Sequence, residues 1–156
     1  MDKTDLLRAM RDGHAPIEAA VATLTDEALH AEAPGMPGWT RKDVLAHIEY
    51  WHRHSTEVLA GLRSGQDPDR AVGEPFDIDA LNARVLAENR PRPGADVREG
   101  EEASYRLLVA AVEDASEREL FETGAVPWLG EQTSADVVAS DTYTHYPEHV
   151  PHLAPD

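Results

Sequence analysis

The sequence predicts an all-α protein: an antiparallel four-helix bundle with short accessory helices. Two observations predict it. Apolar residues recur at helical spacing through several long stretches, and no stretch alternates with period two for long enough to make a strand. At 156 residues the chain has the length of one domain, and without a repeat or composition break residues 1–156 are read as a single bundle.

The first helix is predicted from Asp2 to about Leu24, with Leu6, Met10, Ile17, Val21 and Leu24 on one face. Gly13 and Pro16 predict a kink midway, because proline removes an amide donor and crowds the preceding turn. A helical turn follows at Asp26 to His30, and then the breakers GMPGW. Thr40, with Asp43 three residues on, resembles an N-cap and its acidic partner, opening a second helix that Gly65 ends after Ser64. On its wheel Val44, Ile48, Trp51, Ser55, Val58, Leu59 and Leu62 form one stripe, with His47 inside its edge.

A polar loop to Pro75 leads to a third helix, Phe76 to Arg90, with Ile78, Leu81 and Val85 inward, which PRPG at Pro91 to Gly94 interrupts. The next helix, Val97 to about Ala115, packs Tyr105, Leu108, Val109 and Val112, while the acidic run REGEEAS at Arg98 to Ser104 reads as a solvated face. SEREL gives a short capped helix from Ser116. After a loop holding Pro127, Trp128 and Gly130, Thr133 and Ser134 can cap a last long helix read from Ser134 to His152.

Composition narrows the function. Fourteen Lys and Arg against thirty Asp and Glu give a net charge of −16, which argues against nucleic acid and anionic membrane surfaces as partners. No apolar run is long enough to span a bilayer and the start lacks a secretory pattern, so the expected location is cytoplasmic. With no cysteine, thiolate ligands, disulfides and a cysteine nucleophile are excluded. A metal would have to be held by His, Asp or Glu, and any thiol brought by a small molecule.

DTYTHYPEHVPHL, near the end of the chain, is the stretch that suggests chemistry. On a continuous helix Val138, Thr142, His145, His149 and His152 share a face with Asp141 at its margin, so that the inward stripe is polar. His145 and His149, four residues apart, can point two nitrogens at one ion. His47, on the apolar face of another helix, needs a partner once buried; a backbone carbonyl or a carboxylate would serve as well as a metal. Together the three would give a divalent ion three neutral nitrogens and leave positions open for water or substrate.

Trp51, His54, Asp141 and Thr142 are candidates for an adjoining pocket, with Asp141 placed to orient His145 from one turn away. His52 and His54 otherwise read as a solvated flank, His152 as a residue near a frayed end, and His14 and His30 as surface residues. Pro147, between the paired histidines, threatens to splay them or else lets the helix bend round a site.

WTRKDVLAHIEYW at Trp39 to Trp51, NARVLAENRPRP at Asn82 to Pro93 and DTYTHYPEH at Asp141 to His149 resemble the DinB-like superfamily of four-helix bundles. Within it the chain is most similar to the branch of ClbS/DfsB-type proteins and the metal-binding domain of mycothiol-dependent maleylpyruvate isomerase. The resemblance implies His47, His145 and His149 as ligands of a divalent metal (Zn, Ni or Fe), a low-molecular-weight thiol as co-substrate, and a homodimer. Three functions follow as expectations. The first is a metal-dependent enzyme carrying out hydrolysis, thiol transfer or thiol-dependent isomerisation on a small molecule. The second is a small-molecule-binding or self-resistance protein that sequesters its target without metal catalysis. The third is a purely structural bundle, with no pocket at the histidines. If a metal is bound, imidazole protonation is expected to release it below about pH 6.

Overall fold

A computed structural model of the chain describes residues 1–64 and 77–155, the side chains of residues 62–64 excepted. Its helices are α1 (Lys3–Thr23), α2 (Asp26–His30), α3 (Arg41–Ser64), α4 (Ile78–Asn89), α5 (Gly94–Asp114), α6 (Glu117–Phe121), α7 (Ser134–Asp141) and α8 (Tyr146–His149). Short 3-10 turns cover Pro127–Leu129 and Val150–Leu153. Among the described residues there is no strand, only an isolated bridge between Glu32 and Thr40. None of the helices is long and apolar enough to cross a membrane. The stop at Gly65, the loop to Pro75, the start at Phe76 and the side chain of Leu62 lie outside the described residues.

Short polar side chains set the helix starts. Asp2 with Asp5, Ser116 with Glu119 and Thr133 with Asp136 form reciprocal capping boxes. At the head of α3 the Thr40 amide donates to Asp43 Oδ2 at 2.9 Å, and the Asp43 amide donates to Thr40 Oγ1 at 3.1 Å. Each pair satisfies two amides that the first helical turn leaves without partners. α1 runs as one helix through Pro16.

The core is two apolar clusters separated by a polar layer. One cluster holds Ile17 and Val21 of α1, Val44, Leu45 and Ile48 of α3, Val97 of α5, and Tyr146. The other holds Leu6 and Met10 of α1, Leu59 of α3, Leu108 and Val112 of α5, and Val138 of α7. Hence α3 and α5 run one way through the bundle, while α1 and the α7–α8 segment run the other way. Between the clusters, on the same helices, sit His14, His52, Ser55, Glu101 and Ser104, all buried.

The last long helix is not continuous, which corrects the reading of Ser134 to His152 as one element. Thr142 leaves helical geometry at φ −125° and ψ −107°. Its hydroxyl donates back to the Val138 carbonyl, and the amides of His145 and Tyr146 converge on the Thr142 carbonyl at 2.8 and 2.9 Å. The physical reason is Pro147, which has no amide to give the Tyr143 carbonyl and would crowd it in a straight helix. The chain therefore breaks over residues 142–145 and restarts as the single turn of α8, with proline in its first turn.

The break packs tightly on α1. A Cβ built on Gly13 would stand 2.5 Å from Tyr143 Cβ and 3.0 Å from Tyr143 Cα, so the close approach requires glycine. An exposed helix-interior Gly→Ala change ordinarily stabilises by up to ~1 kcal/mol. Here Gly13→Ala is expected to destabilise by about 1–3 kcal/mol in urea unfolding, because backbone as well as side chain must shift. A neutral or stabilising result would contradict this packing.

Candidate metal centre

α3 is buried along nearly its whole first half, and it carries His47 inward at 6% exposure. The broken segment after α7 delivers His145 at the N-cap of α8 and His149 at its last residue. The imidazoles meet through their Nε2 atoms: His47 Nε2 lies 3.2 Å from His145 Nε2, and His149 Nε2 lies 2.7 Å from it. Pro147 therefore does not splay the pair; the break it enforces accompanies their convergence. An ion with bonds of 2.0–2.1 Å to imidazole would set nitrogen separations of about 3.3 Å in a tetrahedral site, which the 3.2 Å pair matches and the 2.7 Å pair would reach by opening about 0.6 Å.

The donor set fits a cation. No carboxylate or carbonyl bonds the three Nε2 atoms among the described residues, and one imidazole N–H can satisfy only one neighbouring nitrogen. A divalent cation accepts all three lone pairs together. The Nδ1 atoms of all three rings are buried without a hydrogen-bond partner. Ring orientation is set instead by packing, with the Trp39 and Trp51 rings 5.9 and 6.2 Å from His47 and Trp51 6.2 Å from His145.

Burial keeps these imidazoles neutral. His47 is pushed down to about 3 by desolvation first and then by the nearby His149 and His145. His149 falls to about 4 by desolvation and then by His145 and His152. His145 is also lowered by desolvation, against the opposing pull of Asp141 and Glu148. Protons thus compete for His47 and His149 only well below pH 6, which moves the expected acid release of an ion to lower pH.

A cavity of about 360 Å³ opens beside the three histidines, walled by Trp39, Trp51, Met36 and Ile78, with Asp141 and Glu148 supplying carboxylates. Trp51 and Asp141 thus lie where a pocket was expected. Thr142 does not: it is fully buried, and its hydroxyl serves the end of α7. His54 stands behind the cavity wall, its Nδ1 2.6 Å from Asp141 Oδ2, which also accepts from Ser55 Oγ at 2.7 Å. The Asp141 carboxylate is therefore bonded to α3, and Asp141 acts on His145 through its charge and its backbone.

Three residues read as solvated in the sequence are interior, and a fourth is half-buried. His14 is buried with Nε2 2.7 Å from Glu101 Oε1, so the acidic run of α5 is not wholly a solvated face. His52 is fully buried between Ser104 Oγ at 3.1 Å and Tyr146 OH at 2.7 Å. His54 is half-buried. His14, His52 and Glu101 form a second group of donor atoms within 4.8 Å of one another, but its members are already hydrogen-bonded. The available signal was register: residues 14, 52, 101 and 104 continue the inward stripes of their helices. His30 is exposed, as expected, and His152 Nδ1 lies 2.6 Å from the Pro34 carbonyl.

The sequence profile of the mycothiol maleylpyruvate isomerase N-terminal domain matches residues 10–147, nearly the whole bundle including His47 and His145 and ending two residues before His149. The chain belongs to this family. Solved structures with the same DinB-like helical fold include the colibactin self-resistance protein ClbS, in complex with a dsDNA, at 14% identity and a TM-score of 0.81 over 97% of this chain and 93% of ClbS. The sibling lethal factor precursor DfsB is similar at 12% identity and a TM-score of 0.82, over 98% of this chain and 93% of DfsB. An uncharacterised protein of Escherichia coli UTI89 is similar at 14% identity and a TM-score of 0.80, over 97% of this chain and 90% of that one. At such identities the likeness is one of fold. No curated protein matches the sequence.

The ClbS complex corrects the expectation that nucleic acid is no partner, since a protein of this fold is found on a duplex. The physical reason lies in the step from net charge to partner. A net charge of −16 averages the whole surface, whereas duplex contact is decided by the local patch that meets phosphates and bases.

The lowered imidazoles carry a signed pH dependence. Below about pH 6.5 the unfolded chain protonates these histidines while the folded chain, with His47 at about 3 and His149 at about 4, does not. Metal-free protein is therefore expected to lose stability as pH falls, by about 1–3 kcal/mol per such group between about pH 6.5 and 4.5. His47→Asn is expected to flatten that slope in urea titrations run across the range. An unchanged slope would contradict the burial argument.

Proposed function

We propose that the chain is a metal-dependent enzyme in which His47, His145 and His149 hold a divalent ion of the Zn, Ni or Fe class, acting on a small molecule in the adjoining cavity. A low-molecular-weight thiol is the proposed co-substrate. The observation that carries this reading is the meeting of three neutral imidazole nitrogens, from α3 and from the segment after α7, at the wall of a cavity of about 360 Å³. Family membership supports it over residues 10–147.

An ion bound there supplies Lewis acidity and favours a thiol in its thiolate form. The chain's own part is to hold three lone pairs ready without competing protons, and to exclude bulk water with Trp39, Trp51 and Met36 around the reacting group. Asp141, fixed on one oxygen by His54 and Ser55, and Glu148 are the acidic residues that line the cavity. The chain contains no cysteine, so the sulfur of any thiol step arrives with the co-substrate.

A second reading rests on the fold similarity to ClbS at a TM-score of 0.81: a protein that sequesters its target, using the cavity and needing no ion. Metal content separates the two. Reconstituted wild-type protein is expected to carry one Zn, Ni or Fe per chain by elemental analysis and to melt at a higher temperature with it. His47→Ala is expected to lose the metal while keeping its far-ultraviolet circular dichroism. Stoichiometric metal in His47→Ala would defeat the triad, and a wild-type protein that takes up none would leave the sequestering reading standing.

A further inference from the structure

α8 is a single turn, and a helix of four residues has no stability of its own. Yet two of the three converging histidines, His145 and His149, are placed by it. What fixes its rotation about its axis is therefore what aims both rings. The residue between them, Tyr146, is fully buried in the first apolar cluster, and its hydroxyl lies 2.7 Å from His52 Nε2.

On a wheel of 100° per residue His145 falls about 100° to one side of Tyr146 and His149 about 60° to the same side, so the two are neighbours on one flank. His145 holds helical dihedrals, φ −88° and ψ −40°, so the wheel extends to it. With Tyr146 pinned toward α3, the azimuth of both histidines is set.

The far end of the pin is itself held. Ser104 Oγ donates to the Glu101 carbonyl at 2.8 Å, so it accepts from His52 Nδ1–H at 3.1 Å. That fixes the tautomer of His52: Nδ1 carries the proton and Nε2 is the lone pair that accepts the Tyr146 hydroxyl. Glu101 in turn is bonded to His14 of α1. The polar layer thereby ties α1, α3, α5 and α8 together at one level.

We infer that Tyr146 and His52 are positioning residues of the metal centre: their hydrogen bond orients α8 so that His145 and His149 converge on His47. This inference rests on the reading of the triad as a metal site. Tyr146 and His52 contact neither ion nor substrate; they act through the two histidines.

The test uses Zn²⁺ and Co²⁺ alone as probes on the full chain. Tyr146→Phe removes one oxygen and leaves the ring in the core. It is expected to bind Zn²⁺ roughly 10–100-fold more weakly, the range found when a partner that orients a metal ligand is lost. Its Co²⁺ visible spectrum is expected to change, with the metal-free circular dichroism unchanged. His52→Leu is expected to behave alike, whereas His52→Gln, which keeps an acceptor for the tyrosine hydroxyl, is expected to restore both readouts. Wild-type affinity and spectrum in Tyr146→Phe would overturn the inference while leaving the triad intact. Failure of the wild-type protein to take up either ion would overturn both. Should His52→Leu not fold, Tyr146→Phe and His52→Gln still decide.

Discussion

A buried imidazole must find a partner for its nitrogens, and much of this architecture follows from that constraint. The bundle turns several histidines away from bulk water, and three of them are resolved within the protein. His14 has Glu101, His52 has Ser104 and Tyr146, and His54 has Asp141. The exception is the set of His47, His145 and His149, whose Nε2 atoms face one another. Three neutral nitrogens facing one another make a poor hydrogen-bond network and a good cation cradle, and this contrast with the other inward histidines distinguishes the candidate site from its surroundings.

Helix existence was legible in the sequence because caps and apolar spacing are local. Thr40 with Asp43, Ser116 and Thr133 open their helices as read, and the stripe of Val44, Ile48, Val58 and Leu59 is buried. The convergence of His47 with His145 and His149 was legible only as a juxtaposition of inward faces and through the family resemblance, since no local rule reports a distance of about a hundred residues along the chain. The break after Asp141 was hidden because the wheel assumes one continuous helix, whereas Pro147 and the carbonyl of Thr142 end it.

The interior placement of His14, His52 and Glu101 was missed for a different reason. Charged and titratable residues are mostly exposed, so each alone favours the surface. What brings them inside is mutual satisfaction across three helices, a tertiary property. The same limit applies to net charge: −16 describes the whole chain and does not report the charge of any one contact face. Family membership and fold support small-molecule handling by a helical bundle.

The proposed centre stands only if all three rings bind one ion together. X-ray absorption at the metal edge of Zn-loaded protein measures this directly. Three imidazole nitrogens at about 2.0–2.1 Å, with the outer-shell scattering of histidine rings, is the result the account requires. A zinc environment with one imidazole or none, the remaining ligands being oxygen, would contradict it.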